Sequence, residues 1–201
     1  MLIGLLLEEP LTFLILSAIF ILALTLHEFA HALVANHFGD PTPRLAGRLS
    51  LNPLAHLDPI GTLLLFFVNF GWAKPVSIDA RNFPRPIIDE IQVALAGPFA
   101  NLFIAVVAGL ILRFVTVSPS IEEAAILVII LNLNLMIFNL LPIPPLDGSH
   151  FLKAIISAET YWQLTQIGPF LLLTIILIGA GPLSRLLQTL IVPLARLIIG
   201  S

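Results

Sequence analysis

Two histidines and a glutamate in the N-terminal part of the chain have the spacing of a catalytic metal site. Residues 27–31 read HEFAH. Side chains four positions apart lie on one face of a helix, so His27 and His31 can place two imidazoles on the same metal ion. Glu28 follows the first histidine, where its carboxylate can accept a proton from an attacking water molecule. The pattern predicts a helix that carries a zinc site, with Glu28 as the general base.

The residues before this motif are almost entirely apolar. Residues 11–26 read LTFLILSAIFILALTL, and such a run is typical of a membrane span. Titratable groups at the end of a span lie at the edge of the bilayer, where they are costly and indicate a functional site. The same five-residue pattern occurs by chance in soluble helices, and the membrane context favours the metal site over that alternative.

Composition indicates an integral membrane protein. Of the 201 residues, 58% are hydrophobic and 10% are charged, whereas soluble domains contain about 25% charged residues. We therefore predict an all-α, polytopic membrane protein whose residues 1–201 form a single membrane-embedded domain. The net charge of -3 gives no indication of a nucleic-acid partner, and the absence of cysteine restricts the metal ligands to His, Asp, Glu and water.

Apolar stretches predict about five to six transmembrane or half-spanning helices. The stretch 61–70 is too short to cross the hydrocarbon core and indicates a half-span. Residues 72–78 alternate partly and contain β-branched side chains, which predicts a short β-like edge strand that includes Lys74 and Val76. Such an edge could pair with a substrate backbone, and the alternative is a plain connecting turn. The longer helices are predicted over 10–37, 89–114, 122–141, 162–179 and 182–199.

A third metal ligand is expected because catalytic zinc usually has three protein ligands. Residues 142–148 read PIPPLDG, and their prolines end the predicted helix 122–141. Asp147 lies on this irregular segment and is the only acidic residue between Glu123 and Glu159. We predict that Asp147 completes the site with the two histidines of the helix motif.

Two further histidines and two asparagines are weaker candidates. His150 is an alternative third ligand. His56 lies in a loop and could contact a metal, but we expect a surface or interfacial histidine that makes a structural hydrogen bond. Asn101 and Asn139 are polar side chains at membrane depth and require hydrogen-bond partners. We predict that they bind the substrate backbone or the developing oxyanion, the alternative for Asn101 being that it holds helices together.

Basic residues orient the helices in the membrane. Because Lys and Arg accumulate on the cytoplasmic side, the loop 37–88 is predicted to face the cytoplasm. Two further crossings then return Asp147 to the side of His31, so the predicted active site lies toward the cytoplasmic face. The loop holds five of the nine Lys and Arg residues: Arg44, Arg48, Lys74, Arg81 and Arg85.

The helix motif and the proline-rich motif together resemble those of the site-2 protease family of intramembrane zinc metalloproteases. The residues concerned are HEFAH at 27–31 and NLLPIPPLDG at 139–148. The AGPFAN element at 96–101 is also similar to that family. The resemblance covers residues 11–153, and the two motifs are far more specific together than either is alone.

The resemblance implies one Zn2+ per chain, held by His27, His31 and Asp147, with Glu28 as the general base. It implies a minimal prokaryotic form without PDZ or CBS domains, which lies in the cell membrane and cleaves membrane-spanning protein substrates. Two other classes stay open. A membrane metal transporter would distribute its ligands along a pore, and an inactive relative that only binds membrane helices would not need the intact Glu28.

Overall fold

The computed structural model describes residues 2–68, 71–178 and 180–200, which are mostly helical. Within these ranges, three short 3-10 helices connect the longer elements, at Pro53–Ala55, Ala80–Asn82 and Asp147–Ala154. The α-helices are α1 (Leu2–Glu8), α2 (Pro10–His37), α3 (Thr42–Leu45), α4 (Pro59–Val68), α5 (Pro86–Phe114), α6 (Pro119–Asn139), α7 (Ala158–Ile178) and α8 (Ala180–Ile199).

Among the described residues, three helices, α2, α5 and α6, are long and apolar enough to cross a membrane. The prediction of an all-α membrane protein is confirmed at this level, since the described residues contain no β-sheet. The total of five to six spanning or half-spanning helices stays a prediction. The predicted half-span corresponds to α4, with residues 69 and 70 outside the described ranges. The two C-terminal stretches correspond to α7 and α8, with residue 179 outside.

Prolines begin the three long helices. Pro10, Pro86 and Pro119 lie in the first turns, where a missing N–H costs no intrahelical hydrogen bond. Asp89 in the first turn of α5 accepts hydrogen bonds from the backbone N–H of Arg85 (2.8 Å) and from its guanidinium (2.8 Å). A carboxylate there also complements the helix dipole. These contacts set the start of α5, and with it the position of the side chains that α5 contributes further along.

Helix α5 packs chiefly against α2 and α6. Helices in lipid associate through close packing, and small residues allow that approach. At Gly109 of α5, an added Cβ would lie 2.0 Å from Ile198 Cγ2 of α8. The apolar core around α5, α6 and α8 contains Ala105, Ile129, Leu133, Met136, Ile137, Ile191 and Ala195.

The strand predicted over 72–78 is not formed. Within the described part of the chain, this segment makes one isolated antiparallel bridge, between Ala73 and Leu57. Pro75 lacks the N–H that would continue a ladder. The Arg48 guanidinium also binds the carbonyl oxygens of Pro75 and of the residue before it. A side chain therefore takes acceptors that a neighbouring strand would use, and the segment remains irregular.

Candidate metal centre

Helix α2 presents His27 and His31 on one face, and both side chains are buried. Their Nε2 atoms are 3.0 Å apart. The Nδ1 atom of His27 lies 2.6 Å from Asn101 Oδ1, and the Nδ1 atom of His31 lies 2.7 Å from the Val93 carbonyl oxygen. Because a carbonyl oxygen only accepts, each imidazole donates from Nδ1 and is left with an Nε2 lone pair. Both lone pairs are therefore available to one metal ion.

Asp147 joins the two histidines from the first residue of its 3-10 helix. Its Oδ2 lies 3.1 Å from His27 Nε2, and its Oδ1 lies 3.4 Å from His31 Nε2. Oδ2 is buried without a hydrogen-bond partner among the described residues. Two ligands at about 2.1 Å from a tetrahedral zinc ion stand about 3.4 Å apart. Two imidazole nitrogens and a carboxylate at these separations fit zinc.

Gly97 on α5 leaves room beside the two imidazoles. An added Cβ would lie 2.4 Å from His31 Nε2 and 2.5 Å from His27 Nε2. No side chain can occupy that position without displacing the imidazoles, and α5 continues through the following Pro98. A residue without Cβ is thus required where α5 passes the candidate ligand atoms.

The centre lies on a cavity of about 760 Å³. Glu28 lines this cavity with the three candidate ligands and is 8% exposed. Within the described part of the chain, the Glu28 carboxylate has no hydrogen-bond partner, so its oxygens are available to water. The remaining walls are largely apolar and include Phe20, Leu24, Val76, Ile78, Phe138 and Leu172.

Of the two candidates on the 72–78 segment, Val76 lines the cavity. The backbone groups of Val76 and Ser77 have no hydrogen-bond partner among the described residues. The side chain of Lys74 is exposed and lies outside the cavity wall, and its N–H donates to the His56 carbonyl oxygen (2.8 Å). The two residues therefore differ, and Val76 is the one that a molecule in the cavity can reach.

The two asparagine candidates also differ. Asn101 is fully buried away from the cavity, with Oδ1 on His27 and Nδ2 on Asn132 Oδ1 (2.9 Å). This placement corresponds to the alternative reading, in which Asn101 joins helices, and leaves it no access to a substrate. Asn139 lines the cavity and donates one Nδ2 hydrogen to the Leu135 carbonyl oxygen (2.9 Å). Its second Nδ2 hydrogen has no acceptor among the described residues.

The two remaining histidine candidates lie outside the ligand group in the described part of the chain. The expected hydrogen bond of His56 is present, since its Nε2 lies 2.7 Å from the Ser50 carbonyl oxygen, but His56 is fully buried and not at the surface as predicted. His150 lines the cavity, with Nδ1 at 3.2 Å from Glu90 Oε1. Its nearest acidic partner is therefore a glutamate of α5.

Arg48, which in the sequence is only one of several charges in a loop, holds one end of the 72–78 segment. It is 4% exposed, and its guanidinium donates to the carbonyl oxygens of Ala55, Lys74 and Pro75. Burial lowers the pKa of the Arg48 guanidinium, and the charge of Glu28 acts in the opposite direction. No sequence signal distinguished this arginine from the exposed ones nearby.

Asp40 holds the other end of the segment. It is fully buried and accepts hydrogen bonds from Thr42 N (3.0 Å), Thr42 Oγ1 (2.6 Å), Asp79 N (2.8 Å) and Asn82 Nδ2 (2.8 Å). Burial acts to raise the pKa of Asp40, but these hydrogen bonds outweigh it and lower the pKa below its usual range. The Asp-Pro-Thr sequence at 40–42 is a turn signal that could have identified the contact with Thr42.

Comparisons with known proteins agree with the geometry of the centre. A family profile described as Peptidase family M50 matches residues 116–177. "Putative zinc metalloprotease YwhC" of Bacillus subtilis is 36% identical over 173 residues, which cover 82% of this chain and 79% of that protein. "Putative zinc metalloprotease Rip2" of Mycobacterium tuberculosis is 30% identical over 176 residues, covering 85% and 68% respectively. No solved structure gives a significant match. The chain therefore belongs to peptidase family M50, the site-2 protease family, and is a zinc metalloendopeptidase.

Proposed function

We propose that this enzyme hydrolyses peptide bonds in or near the membrane-spanning segments of other membrane proteins. The candidate ligands and Glu28 line one cavity, and this is the main observation that supports the proposal. Two of these ligands and Glu28 stand on α2, which is long and apolar enough to cross a membrane. In the described residues the ligands form a single group rather than a series along a pore, which favours a protease over a metal transporter.

His27, His31 and Asp147 would hold the zinc ion, whose charge polarises a substrate carbonyl and makes water more acidic. Glu28 accepts a proton from the attacking water as the water oxygen bonds to the carbonyl carbon. The carbon–nitrogen bond then breaks, and Glu28 returns its proton to the leaving amine. One water molecule is consumed, and Glu28 ends in its starting state.

A helical substrate must unwind before this chemistry, because its backbone carbonyl groups are bonded within the helix. The unpaired backbone groups of Val76, at the cavity wall, and of the adjacent Ser77 support an extended substrate that pairs with this segment. The apolar walls suit the side chains of a membrane-spanning segment. Asn139 adds a donor for the substrate backbone or the developing oxyanion.

The function is tested with detergent-purified, zinc-loaded enzyme and a reporter protein that has one membrane-spanning segment. We expect cleavage that stops on chelation and returns with added zinc, and mass spectrometry should locate the cut within or next to the span. A matched reporter whose span is replaced by a soluble linker should resist cleavage. Cuts confined to the soluble domains of the reporter would contradict the proposal.

Substitution of Val76 by proline is expected to slow cleavage of the membrane reporter and to leave the zinc content unchanged. Proline removes a backbone donor at the cavity wall and constrains the segment. Only one of two adjacent N–H groups faces outward along an extended edge, so Ser77→Pro is measured in parallel. If both variants cleave at the wild-type rate, the substrate is aligned elsewhere, with Asn139 the remaining candidate among the cavity residues.

A cysteine at position 77 reports the orientation of the site. We expect the Ser77→Cys variant in intact cells to react with a membrane-permeant maleimide and to resist an impermeant one, because the 72–78 segment is proposed to face the cytoplasm. Ser77 is exposed, and the natural chain has no cysteine that could add background. Labelling by the impermeant reagent from outside would reverse the proposed orientation.

A further inference from the structure

Asn132 is a buried amide that the proposed chemistry does not use. It lies on α6, is 1% exposed, and is flanked along the helix by the buried apolar residues Ile129, Leu133 and Met136. It does not line the cavity, and it belongs to neither the ligands nor the substrate candidates. An amide in an apolar core is costly unless its polar atoms are hydrogen-bonded.

The polar atoms of Asn132 connect the backbone of α6 to a candidate zinc ligand. Asn132 Nδ2 donates to the Val128 carbonyl oxygen (2.8 Å), and Asn132 Oδ1 accepts from Asn101 Nδ2 (2.9 Å). Asn101 Oδ1 in turn lies 2.6 Å from His27 Nδ1. A second acceptor for Asn101 Nδ2 is the Ala23 carbonyl oxygen at 3.4 Å.

The direction of this chain of hydrogen bonds is set chiefly at Val128, and the longer contact of Asn101 Nδ2 with the Ala23 carbonyl oxygen acts in the same sense. A backbone carbonyl can only accept, so the nitrogen of the Asn132 amide faces Val128 and its oxygen faces Asn101. Asn101 must then turn its nitrogen toward Asn132, which leaves its oxygen for His27. The oxygen accepts a hydrogen bond from the Nδ1–H of His27, so the imidazole keeps its proton on Nδ1 and Nε2 is left unprotonated. A flipped Asn101 would place donors against Nδ1 and favour the proton on Nε2, the atom that must bind zinc.

His31 needs no such arrangement, because its Nδ1 lies directly against the backbone carbonyl oxygen of Val93. Of these two histidines, only His27 has a side-chain amide as the partner of its Nδ1, and such an amide can exchange the positions of its oxygen and nitrogen by rotation. We propose that Asn132 is a positioning residue for zinc binding: through Asn101 it fixes the tautomer in which His27 offers Nε2 to the metal. This inference rests on the proposed role of His27 as a zinc ligand.

The test is the zinc affinity of the detergent-purified full chain, measured by competition with a chromophoric chelator. Partners that orient a metal-binding histidine contribute about 10–100-fold to metal affinity. We expect Asn132→Leu to weaken zinc binding about tenfold, the lower end of that range. Asn132→Asp, whose neutral acid can donate to Val128 and accept from Asn101, should bind zinc close to the wild-type affinity.

A double variant distinguishes positioning from general loosening of the structure. Because Asn132 acts through Asn101, adding Asn132→Leu to Asn101→Ala should weaken zinc binding no further than Asn101→Ala alone. The control is Asn134→Leu on the same helix, since Asn134 also donates to a backbone carbonyl, that of Ile130 (2.8 Å). Asn134 lines the cavity but has no hydrogen bond to His27 or Asn101 in the described part of the chain, so the zinc affinity of Asn134→Leu should equal that of the wild type.

Wild-type affinity in Asn132→Leu, or losses that add in the double variant, would overturn the inference. If Asn132→Leu does not fold, Asn132→Ala replaces it under the same criteria. As a second readout, nitrogen NMR of histidine-labelled, metal-free protein should show the His27 proton on Nδ1 in the wild type and shared between both nitrogens in the variant. The His27→Ala variant separates failure of the ligand assignment from failure of the inference. If His27→Ala retains zinc, His27 is not a ligand. If His27→Ala loses zinc while Asn132→Leu binds zinc with wild-type affinity, only the positioning role of Asn132 is refuted.

Discussion

Glu28→Gln should lower the rate of peptide hydrolysis by about 10²–10⁴-fold, the usual contribution of a general base. Glutamine has nearly the same shape as glutamate but cannot accept the proton of the attacking water. Glu28 lines the cavity beside the candidate ligands without belonging to their group. The variant should therefore keep its zinc and lose its turnover. The measurement is cleavage of the single-span reporter, with zinc content determined on the same preparation.

Glu159→Gln is the matched control for this variant. Glu159 is an exposed glutamate in the first turn of α7, outside the cavity wall. The same chemical change there should leave both turnover and zinc content unaltered. If Glu28→Gln retains turnover, Glu28 is not the general base. If that variant loses zinc, the Glu28 carboxylate of the wild type supports metal binding instead.

Asp147→Ala should weaken zinc binding more than about 100-fold, beyond the range expected for an outer partner of a ligand. The variant removes the only carboxylate in the candidate ligand group. In the wild-type chain, Asp147 Oδ2 is buried without a hydrogen-bond partner among the described residues. Such an oxygen requires a cation or a donor. Zinc content after dialysis against a weak chelator is the measurement, with helical content by circular dichroism as the check on folding.

His150→Ala is the control for Asp147, because His150 belongs to the same 3-10 helix and lines the same cavity. Its Nδ1 lies near Glu90 rather than near the ligand group, so zinc should be retained. A full zinc complement in Asp147→Ala, together with lost zinc in His150→Ala, would exchange the two assignments. His56 is a weaker replacement, because its Nε2 is engaged by the Ser50 carbonyl oxygen.

Sequence alone predicted those parts of the site that local geometry determines. The spacing of His27 and His31 needs only one helix, and hydropathy places that helix in the membrane. Asp147 could also be predicted, because the order of the apolar stretches and the prolines at 142–145 returned the chain to the same side. Its convergence with the two histidines is a property of the folded chain, and the structure shows it.

Contacts between distant elements could not be predicted in this way. The role of Asn101 depends on which groups of α2 and α6 face it, and hydropathy does not indicate which groups these are. Asn132 was one of three asparagines in a predicted helix, with nothing in its spacing to distinguish it. Partial alternation over 72–78 favoured a strand, but the pattern contains no sign that Arg48 would take the carbonyl oxygens at positions 74 and 75.

Fixation of the 72–78 segment by Arg48 and Asp40 has a thermodynamic consequence for substrate capture. Backbone order is costly, at about 1–2 kcal/mol per residue, and here much of that cost is met when the protein folds. In the proposed docking mode, a substrate bears mainly the entropy of its own unwinding, since the segment proposed to receive it is already ordered. The helical stability of the substrate, more than its side chains, should therefore rank one substrate against another. Helix-breaking residues near the cut should accelerate cleavage even where they touch nothing in the enzyme.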